Sequence, residues 1–385
     1  RLLMGIVGSG FVVGIRMVSE WFPPKDIGMA QGIYGGWGNF GAFGAEFALP
    51  TIAVATAFLA GGATNWRFAI ALTGIIAAIY GVIYYNTVQD TPAGKVYKRP
   101  KKNGALEVTS TKSFYAMLLS NFGLIFALGL LAWRLAQKKI HFLSSSQMYL
   151  VWGLLGLLFA YQTYQAWQVN KELLSGRKTY TPAERYQFSQ VGLLEFAYVV
   201  SFGSELAAVS MLPGFFEKTF GLSHVTAAMI AASYPFLNLV SRPSGGLISD
   251  KFGSRKWTLI IITAGIGVSY LIASRIGAGW AMPLAIAVTM LSAYFAQAGC
   301  GATYGIVPLI KKEVTGQISG NVGAYGNFGG VVYLTVFSLS NSAQTLFSTM
   351  GIAALVCACF CAFFLKEPKG SFADDYEVAA EHSLP

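Results

Sequence analysis

Long apolar runs alternate with short polar stretches along most of the chain. The hydrocarbon core of a bilayer is about 30 Å thick, so about twenty apolar residues cross it as a helix. Eleven segments meet that length, and most are apolar on every side, as lipid-contacting helices are. They are Leu2–Phe22, Met29–Leu59, Trp66–Val88, Phe114–Trp133, Gln147–Trp167, Val191–Phe216, Val225–Ile248, Trp257–Ile276, Trp280–Ile310, Ile318–Leu339 and Leu346–Leu365.

The composition agrees with this pattern. Hydrophobic residues make up 54% of the chain and charged residues only 11%, with a mean hydropathy of +0.54, whereas soluble domains carry about a quarter charged residues. The net charge of +10 lies in short loops between apolar runs, which argues against nucleic-acid binding. We therefore predict an all-α polytopic membrane protein whose partner is the lipid bilayer.

The basic residues of the loops predict an orientation. Sixteen Lys and Arg residues lie in one alternating set of loops and six in the other, and the richer set is expected in the cytoplasm. The first set is Lys25, Lys95, Lys98, Arg99, Lys101, Lys102, Lys112, Lys171, Arg177, Lys178, Arg185, Lys251, Arg255, Lys256, Lys311 and Lys312; the second is Arg67, Arg134, Lys138, Lys139, Lys218 and Arg275. The protein is thus expected in the plasma or inner membrane, with its C-terminus in the cytoplasm.

The segments group into four predicted regions. Residues 1–88 hold three helices of an N-terminal bundle, and residues 189–366 hold a C-terminal bundle of six. Between them, residues 89–188 form a cytoplasmic linker rich in Pro, Gly and Lys, followed by two inserted helices. The basic cluster at 134–139 leaves open whether both inserted helices cross fully. Residues 367–385 form a polar, acidic tail that is expected to be mobile.

A glycine-rich repeat relates the two bundles. Gly32–Gly41 aligns with Gly320–Gly329 at a constant offset, and both follow a short basic loop, so both helices are predicted to run in the same direction. Parallel repeats are a transporter architecture with the substrate between the halves. If Leu2–Phe22 corresponds to Trp280–Ile310, three further spans are expected before it. The chain opens at Arg1 within an apolar run and without a signal-peptide pattern, which favours a fragment that lacks those spans.

The repeats offer small and amide side chains at membrane depth. Gly38 and Gly326 are interpreted mainly as close helix packing, with room for a substrate beside the bare backbone. Asn39 and Asn327 could donate amide hydrogen bonds to that substrate or pair with each other.

Arg242 is the main candidate for substrate binding. A cation inside hydrocarbon is costly and is usually kept for a substrate or a counter-charge. No acid lies at helical spacing on its N-terminal side, and the nearest downstream acid is Asp250, two turns later. We therefore predict that Arg242 is free to bind a small anion; the alternative is that it extends to the headgroups. A planar guanidinium suits a flat oxyanion because it can donate two parallel hydrogen bonds.

Other polar residues within the spans have two interpretations each. Arg16 and Glu20, four residues apart, are expected to form a structural ion pair. Glu46 and Glu205 could carry protons for coupled transport or could be held by permanent hydrogen bonds. The Tyr198 hydroxyl could point at an anion or pack.

Enzyme chemistry has little support. The four cysteines lie in apolar runs and are expected to pack rather than to bind metal or form disulfides, and the three histidines fall in loops or the tail. No Walker-type phosphate loop occurs. No metal, cofactor or ATP is therefore expected.

Two motifs resemble those of a known family. Gly246–Lys256 resembles the G-x-x-x-D-[RK]-x-G-x-R-[RK] loop signature of the major facilitator superfamily, which implies a conformational latch at Gly246, Asp250, Gly253 and Arg255. The paired Gly-Asn-Phe-Gly segments resemble the nitrate signatures of the nitrate/nitrite porter family, whose cyanobacterial members carry a similar central insertion. Tyr198 with Ser201–Ser204 resembles that family's seventh span, and Arg242 falls where its eighth span carries a substrate arginine.

The resemblance implies a major facilitator fold of two pseudo-symmetric helical bundles, with the first three helices missing and two extra central helices. It implies nitrate bound between two arginines, with Tyr198 and Asn39 beside it; the other arginine is expected in a span that this chain lacks. The expected function is alternating-access transport of nitrate, and of nitrite, by a proton-coupled monomer. A facilitator for another small anion and a non-transporting nitrate sensor remain the alternatives.

Overall fold

The computed structural model describes residues 8–95, 97, 104–138, 140–181 and 184–376, and of Phe47 the backbone only. These residues form helices and connecting turns. The helices are α1 Ser9–Trp21, α2 Ile27–Ala55, α3 Trp66–Thr87, α4 Thr111–Leu135, α5 Ser145–Leu174, α6 Phe188–Tyr198, α7 Ser204–Phe220, α8 His224–Phe236, α9 Asn238–Lys251, α10 Arg255–Ala273, α11 Met282–Ile310, α12 Thr315–Ser340 and α13 Ala343–Phe364. A π-helical segment, Val199–Gly203, joins α6 to α7.

Seven helical segments within the described ranges are long and apolar enough to cross a membrane: α3, α4, the α6–α7 rod, α10, α11, α12 with the short turn before it, and α13. Their outward faces are apolar; Ile75, Ile79 and Val82 of α3, for example, are each more than half exposed. Exposed side chains of this kind suit lipid rather than water. The prediction of an all-α polytopic membrane protein is confirmed.

One predicted span is not a single helix. The segment Val225–Ile248 is two helices, α8 and α9, interrupted at Leu237. Pro235 and Pro243 both lack an amide proton, so each removes one bond of the helical ladder and favours such a break. The interruption lies one turn before Arg242.

The inserted helices α4 and α5 form an antiparallel hairpin. Trp152 Nε1 donates to Gly129 O at 2.9 Å towards one end, and Asn170 Nδ2 donates to Leu106 O at 3.1 Å at the other. With 25 and 30 residues, the helices are about 38 and 45 Å long. Both are therefore long enough to cross. Of the basic cluster at their connection, Arg134 Nη2 donates to Ser338 O at 2.7 Å, while Lys139 lies outside the described residues.

Loops predicted to share one side meet at one end of the bundle. We call it the basic end, and it comprises the loops after α1, α9 and α11 with residues 366–376. Lys311 Nζ donates to Glu184 O at 3.0 Å, and Lys25 Nζ lies 2.6 Å from Asp374 Oδ1. Both α2 and α12 begin there, so the two glycine-rich helices run in the same direction, as predicted. Lys98, Arg99, Lys101 and Lys102 lie outside the described residues.

The tail is folded onto the basic end as far as Tyr376, so the expectation of a mobile tail is wrong for residues 367–376. Glu367 accepts hydrogen bonds from the amides of Arg255 and Lys256 at 2.8 and 2.9 Å and from Ser254 Oγ at 2.6 Å. The carboxylate thereby satisfies amide groups that a helix N-terminus leaves unpaired. The ring of Tyr376 lies 4.1 Å from Lys312 Nζ. Residues 377–385 lie outside the described residues.

Glu367→Gln should loosen this segment. Losing a helix-capping carboxylate costs about 1 kcal/mol, which raises the population of the open tail about fivefold. Trypsin cleavage after Lys369 in isolated membranes should quicken by about the same factor. Asp374→Asn is the matched control, because the Lys25–Asp374 pair is exposed and should change the rate less than about twofold. Equal rates in wild type and Glu367→Gln would contradict the capping role.

Candidate functional site

Two arginines, Arg242 and Arg255, are the largest fully buried side chains of the described structure. Burying a guanidinium without compensation costs several kcal/mol, so each is expected to have a counter-charge and a full set of acceptors. One lies in the middle of the bundle and the other at the basic end. Each arginine is the centre of a candidate functional site.

Arg242 belongs to a network that we call the arginine cluster: Arg242, Glu205, Asn238 and Cys300. Arg242 Nη2 donates to Glu205 Oε2 at 2.8 Å, and Arg242 Nε donates to Asn238 Oδ1 at 2.7 Å. Asn238 Nδ2 closes the ring by donating to Glu205 Oε1 at 2.6 Å. The Cys300 thiol lies 3.9 Å from Glu205 Oε2 and donates to it. All four side chains are buried.

The prediction that Arg242 lacks an acidic partner is therefore wrong. Its partner, Glu205, is 37 residues away in sequence on α7, so helical spacing around Arg242 could not reveal it. The alternative of an arginine extended to the headgroups is wrong too, since the residue is only 1% exposed. An ion pair, and not an isolated cation, occupies the middle of the bundle.

The remaining terminal nitrogen of the Arg242 guanidinium, Nη1, faces α2. It lies 3.5 Å from the position that a Cβ on Gly35 would occupy. We call the helices of residues 1–88 and of residues 189–366, the two predicted bundles, the N-terminal and C-terminal groups. Gly35 lies on α2 of the first, and Glu205 and Asn238 lie on α7 and α9 of the second. The guanidinium therefore lies at the boundary between the two groups, with Nη1 towards α2.

Glycines let the backbone approach Arg242 closely. A Cβ on Gly32 would lie 2.5 Å from Arg242 O, and one on Gly36 would lie 2.5 Å from Asn238 O; a Cβ on Gly301 of α11 would overlap Arg242 O. Contacts this short exclude any side chain. The helix break also leaves a carbonyl to satisfy, and Gln297 Nε2 donates to Tyr234 O at 2.8 Å. These contacts fix the position of α9.

Aromatic rings continue from Arg242 across the boundary between the groups. The Arg242 guanidinium carbon lies 5.3 Å from the ring centroid of Phe202, within the π-helical segment, and Phe202 stacks on Tyr198 at 5.1 Å. Tyr198 meets Tyr304 edge to face at 5.0 Å, and Tyr304 meets Phe11 of α1 at 5.3 Å. Stacked and edge-to-face rings of this kind hold one another in place.

The structure brings only some of the predicted site residues to this cluster. Tyr198 is buried in the aromatic stack, and its ring lies against Gly326, where a Cβ would be 2.5 Å from Tyr198 Cδ1. Gly38 is exposed and has no neighbouring atom within 4 Å of a built Cβ. Glu46 is exposed on α2 and makes no ion pair with the described residues.

The two asparagines do not pair with each other. Asn39 Nδ2 donates to Gly35 O at 2.8 Å, and Asn327 Nδ2 donates to Gly323 O at 3.0 Å. Each amide therefore bonds to its own helix four residues back, which is why an amide tolerates the apolar setting. No hydrogen bond joins either one to the arginine cluster within the described ranges.

The second buried arginine, Arg255, lies in the turn for which a latch is predicted, and we use that name for its contacts. Arg255 Nη1 lies 2.7 Å from Asp250 Oδ1, and Arg255 Nη2 donates to Pro24 O at 2.6 Å. Asp250 also accepts from the amides of Gly28 and Met29, at 2.9 and 2.6 Å. These amides are at the N-terminus of α2, where a carboxylate is favoured by the helix dipole.

Two glycines shape this latch. Gly246 packs directly on the Gly28 backbone, so a side chain there would separate α9 from α2. Gly253 has φ +75°, a left-handed conformation that favours glycine in the turn before α10. The loop of the C-terminal group thus binds the start of an N-terminal helix.

A third charged group joins the same two groups of helices. Arg16 and Glu20 form the predicted ion pair, and Arg16 Nη1 also donates to Lys312 O. Lys312 Nζ lies 3.4 Å from Glu20 Oε2. This contact between α1 and the turn before α12 was not foreseen, because the residues are far apart in sequence.

Sequence reasoning missed Asn238, Cys300 and Tyr304. Asn238 is four residues before Arg242, a spacing that could have revealed it, since i and i+4 side chains share a helix face. Cys300 and Tyr304 come from α11, and only the packing of α11 against α9 and α6 brings them near.

Comparisons with known proteins agree with this architecture. The family model described as Major Facilitator Superfamily matches residues 1–173 and 194–382. The nitrate/nitrite transporter NrtP of Nostoc punctiforme (strain ATCC 29133 / PCC 73102) is 78% identical over 383 residues, covering 100% of this chain and 76% of that protein. NrtP of Picosynechococcus sp. (strain ATCC 27264 / PCC 7002 / PR-6) is 50% identical over 416 residues, covering 99% and 78%.

A solved structure shows the same fold. The proton:xylose symporter XylE, bound to 6-bromo-6-deoxy-D-glucose, superposes with a TM-score of 0.54 over 94% of this chain and 69% of that one, at 14% identity. The chain thus has the major facilitator fold and belongs to the Major Facilitator Superfamily. Within it, the chain is a member of the nitrate/nitrite porter family, as its resemblance implied. These relatives are transporters, so the prediction that the chain is not an enzyme is confirmed.

The pairing of Arg242 with Glu205 predicts strong coupling between the two positions. Glu205→Leu leaves a buried guanidinium without its counter-charge and should destabilise the protein by about 3–5 kcal/mol. Arg242→Met should cost a similar amount, whereas the double variant should recover most of the loss. Unfolding in detergent, followed for all four proteins, gives the interaction energy. Additive single effects would contradict a direct ion pair.

Proposed function

We propose that this protein transports nitrate, and also nitrite, across the membrane by alternating access, with Arg242 as the anion ligand of the C-terminal half. The observation that carries the proposal is a fully buried guanidinium at the boundary of the two helix groups, with the edge that carries Nη1 directed at α2. A planar oxyanion matches that edge because the guanidinium fork donates parallel hydrogen bonds. The names of the two NrtP relatives support nitrate and nitrite as the anions.

On substrate binding, nitrate would then replace the Glu205 carboxylate as the anion bound to Arg242. Glu205 is the resident anion in this structure, held by Arg242 and Asn238. An entering nitrate competes for the guanidinium and displaces Glu205, which takes up a proton from the outside solution. The cluster is neutral before and after the exchange, with one cation and one anion each time. Neutrality at both stages keeps an uncompensated charge out of the membrane interior.

This exchange links one proton to each anion. An imported anion moves against a negative-inside potential at about 2.3 kcal/mol per 100 mV. One proton makes the step electrically neutral, and a second makes it electrically downhill. The sequence suggests Glu46 as well as Glu205 for proton coupling. The Glu46 side chain is exposed, however, and it takes no part in the hydrogen bonds of the arginine cluster. We assign the first proton to Glu205 alone.

The latch holds one end state. Asp250, Arg255 and the start of α2 close the basic end, which we place in the cytoplasm because of its lysine and arginine content. Opening towards the cytoplasm requires the amides of Gly28 and Met29 to leave Asp250. Glycines bring the backbones of α2 and α9 into close contact, and without side chains between them these two helices can move against each other.

Arg242→Lys should reduce nitrate uptake at least about tenfold while membrane insertion is unchanged. Lysine keeps the charge but loses the planar fork, and the loss of one good hydrogen bond to an anion corresponds to about 1.4 kcal/mol. Initial uptake of labelled nitrate by cells, normalised to the amount of protein in the membrane, measures the effect. Uptake within about twofold of wild type would count against Arg242 as the ligand.

Glu205→Gln should remove one coupled proton. At zero membrane potential, each coupled proton multiplies nitrate accumulation about tenfold per pH unit of gradient, so the variant should accumulate about tenfold less than wild type. The protein at its full natural length, in proteoliposomes, is suitable for this measurement. Glu46→Gln is the matched control and should accumulate as wild type does. An unchanged ratio in Glu205→Gln would exclude Glu205 as a coupling residue.

Two other functions make different predictions. A facilitator for another small anion would show nitrate uptake blocked by carboxylates as well as by nitrite and chlorate. A membrane nitrate sensor would bind nitrate but show no nitrate counterflow in proteoliposomes. Counterflow inhibited by nitrite and chlorate, and not by carboxylates, is the result expected for the proposed transporter.

A further inference from the structure

A second carboxyl group lies buried in the C-terminal helices, away from the arginine cluster. Glu195 of α6 is 3% exposed. Glu195 Oε2 accepts a hydrogen bond from Ser120 Oγ of the inserted hairpin at 3.0 Å, while Glu195 Oε1 is buried and has no partner among the described residues. It is not among the site residues predicted from the sequence.

Its electrostatic setting differs from that of the other buried carboxylates. Three glutamates are buried in the described ranges: Glu20, Glu195 and Glu205. Glu20 is paired with Arg16 and Lys312, and Glu205 is paired with Arg242. Glu195 is the member of this set that has no basic partner. An ionised carboxylate in that position is costly, whereas the protonated acid is neutral and its hydroxyl needs only an acceptor.

The helices around Glu195 supply no counter-charge. The sequences of α11, α12 and α13 contain no Lys, Arg, Asp or Glu. On α4, Lys112 and Arg134 are near the two ends of the helix, about 12 and 21 Å along the axis from Ser120. The titratable group beside Glu195 is Tyr325 of α12, whose hydroxyl donates to Ser120 O at 2.7 Å.

The position also connects with the proposed anion site. Glu195 precedes Tyr198 by one helical turn, immediately before the π-helical segment that carries Phe202. Tyr325 is adjacent to Gly326, against which the Tyr198 ring packs. A change in charge at Glu195 would therefore act on the helices α6 and α12 that hold the aromatic stack. Short π-helical segments within α-helices are often found at such functional positions.

We propose that Glu195 is a second proton-binding site of the transport cycle. This inference rests on the proposed function, which assigns one proton to Glu205 and needs a second for electrically downhill import. Glu195 Oε1 binds a proton from the outside solution, Ser120 Oγ continues to donate to Oε2, and the same proton leaves to the cytoplasm when the halves have rocked. Two protons and one nitrate then cross together, with a net charge of +1.

The test is the equilibrium nitrate accumulation in proteoliposomes of the protein at its full natural length, with the membrane potential held at zero and a gradient of one pH unit. Two coupled protons give an accumulation of about 100-fold, and one gives about tenfold. We expect about 100-fold for wild type, about tenfold for Glu195→Gln, and no pH-driven accumulation for Glu195→Gln with Glu205→Gln. The ratio is an equilibrium quantity, so a slower variant still reports it. Glu217→Gln, at an exposed glutamate near the end of α7, is the matched control and should give about 100-fold.

The outcomes separate the two proposals. Wild type without nitrate counterflow overturns the proposed function, and the inference with it. Counterflow together with an unchanged 100-fold ratio in Glu195→Gln overturns the inference and leaves the proposed function standing. If Glu195→Gln transports nothing, Glu195→Asp decides: a restored two-proton ratio supports a proton site, whereas an equally inactive Asp variant shows a structural role and overturns it.

Discussion

Buried guanidinium groups govern this structure. A guanidinium buried among apolar helices needs an anion and hydrogen-bond acceptors close to it. Each of the two buried arginines has both. Arg242 is matched by Glu205 and Asn238, and Arg255 is matched by Asp250 and backbone carbonyls. Each match joins segments far apart in sequence, so the two charges also fix how the helices pack.

The two arginine sites differ in how their guanidinium groups are bound. In the latch, Asp250 accepts hydrogen bonds from amides at the start of α2. Arg255 pairs with Asp250 and also donates to Ser371 O of the tail at 3.2 Å. Arg242, by contrast, turns the edge that carries Nη1 towards α2, at the boundary between the helix groups. The first arrangement suits a contact that is made and broken as a unit. The second suits a site where one anion replaces another.

Much of the fold could be predicted from the sequence. Apolar runs of membrane length, the alternation of basic loops and the doubled glycine motif each depend on local pattern, and the structure has the corresponding helices and a shared basic end. The Asp250–Arg255 turn was also recognisable, because its spacing is short and its left-handed Gly253 is a local requirement. Local pattern failed where proline broke a span at Leu237 and where Glu367 folded the tail back.

The site was less predictable, because its partners are set by packing. Nothing in the sequence around Arg242 points to Glu205, and nothing around Glu195 points to Ser120, 75 residues away. The glycine motif also misled in detail. The glycines that contact α9 include Gly32 and Gly36, four residues apart, whereas a Cβ built on Gly38 or Gly41 of the three-residue series would meet no atom within 4 Å. Which face of a glycine-rich helix is covered depends on its neighbours.

The central claim is that nitrate displaces Glu205 from Arg242 and that Glu205 is then protonated. Infrared difference spectroscopy with and without nitrate tests it directly, in purified protein that carries Glu195→Gln in every sample, so that Glu205 is the one proposed proton site left to respond. The account predicts that nitrate produces a C=O stretching band of a protonated carboxylic acid, and that this band is absent in Glu205→Gln. A nitrate-binding protein that shows no such band, or a band that persists in Glu205→Gln, would contradict it.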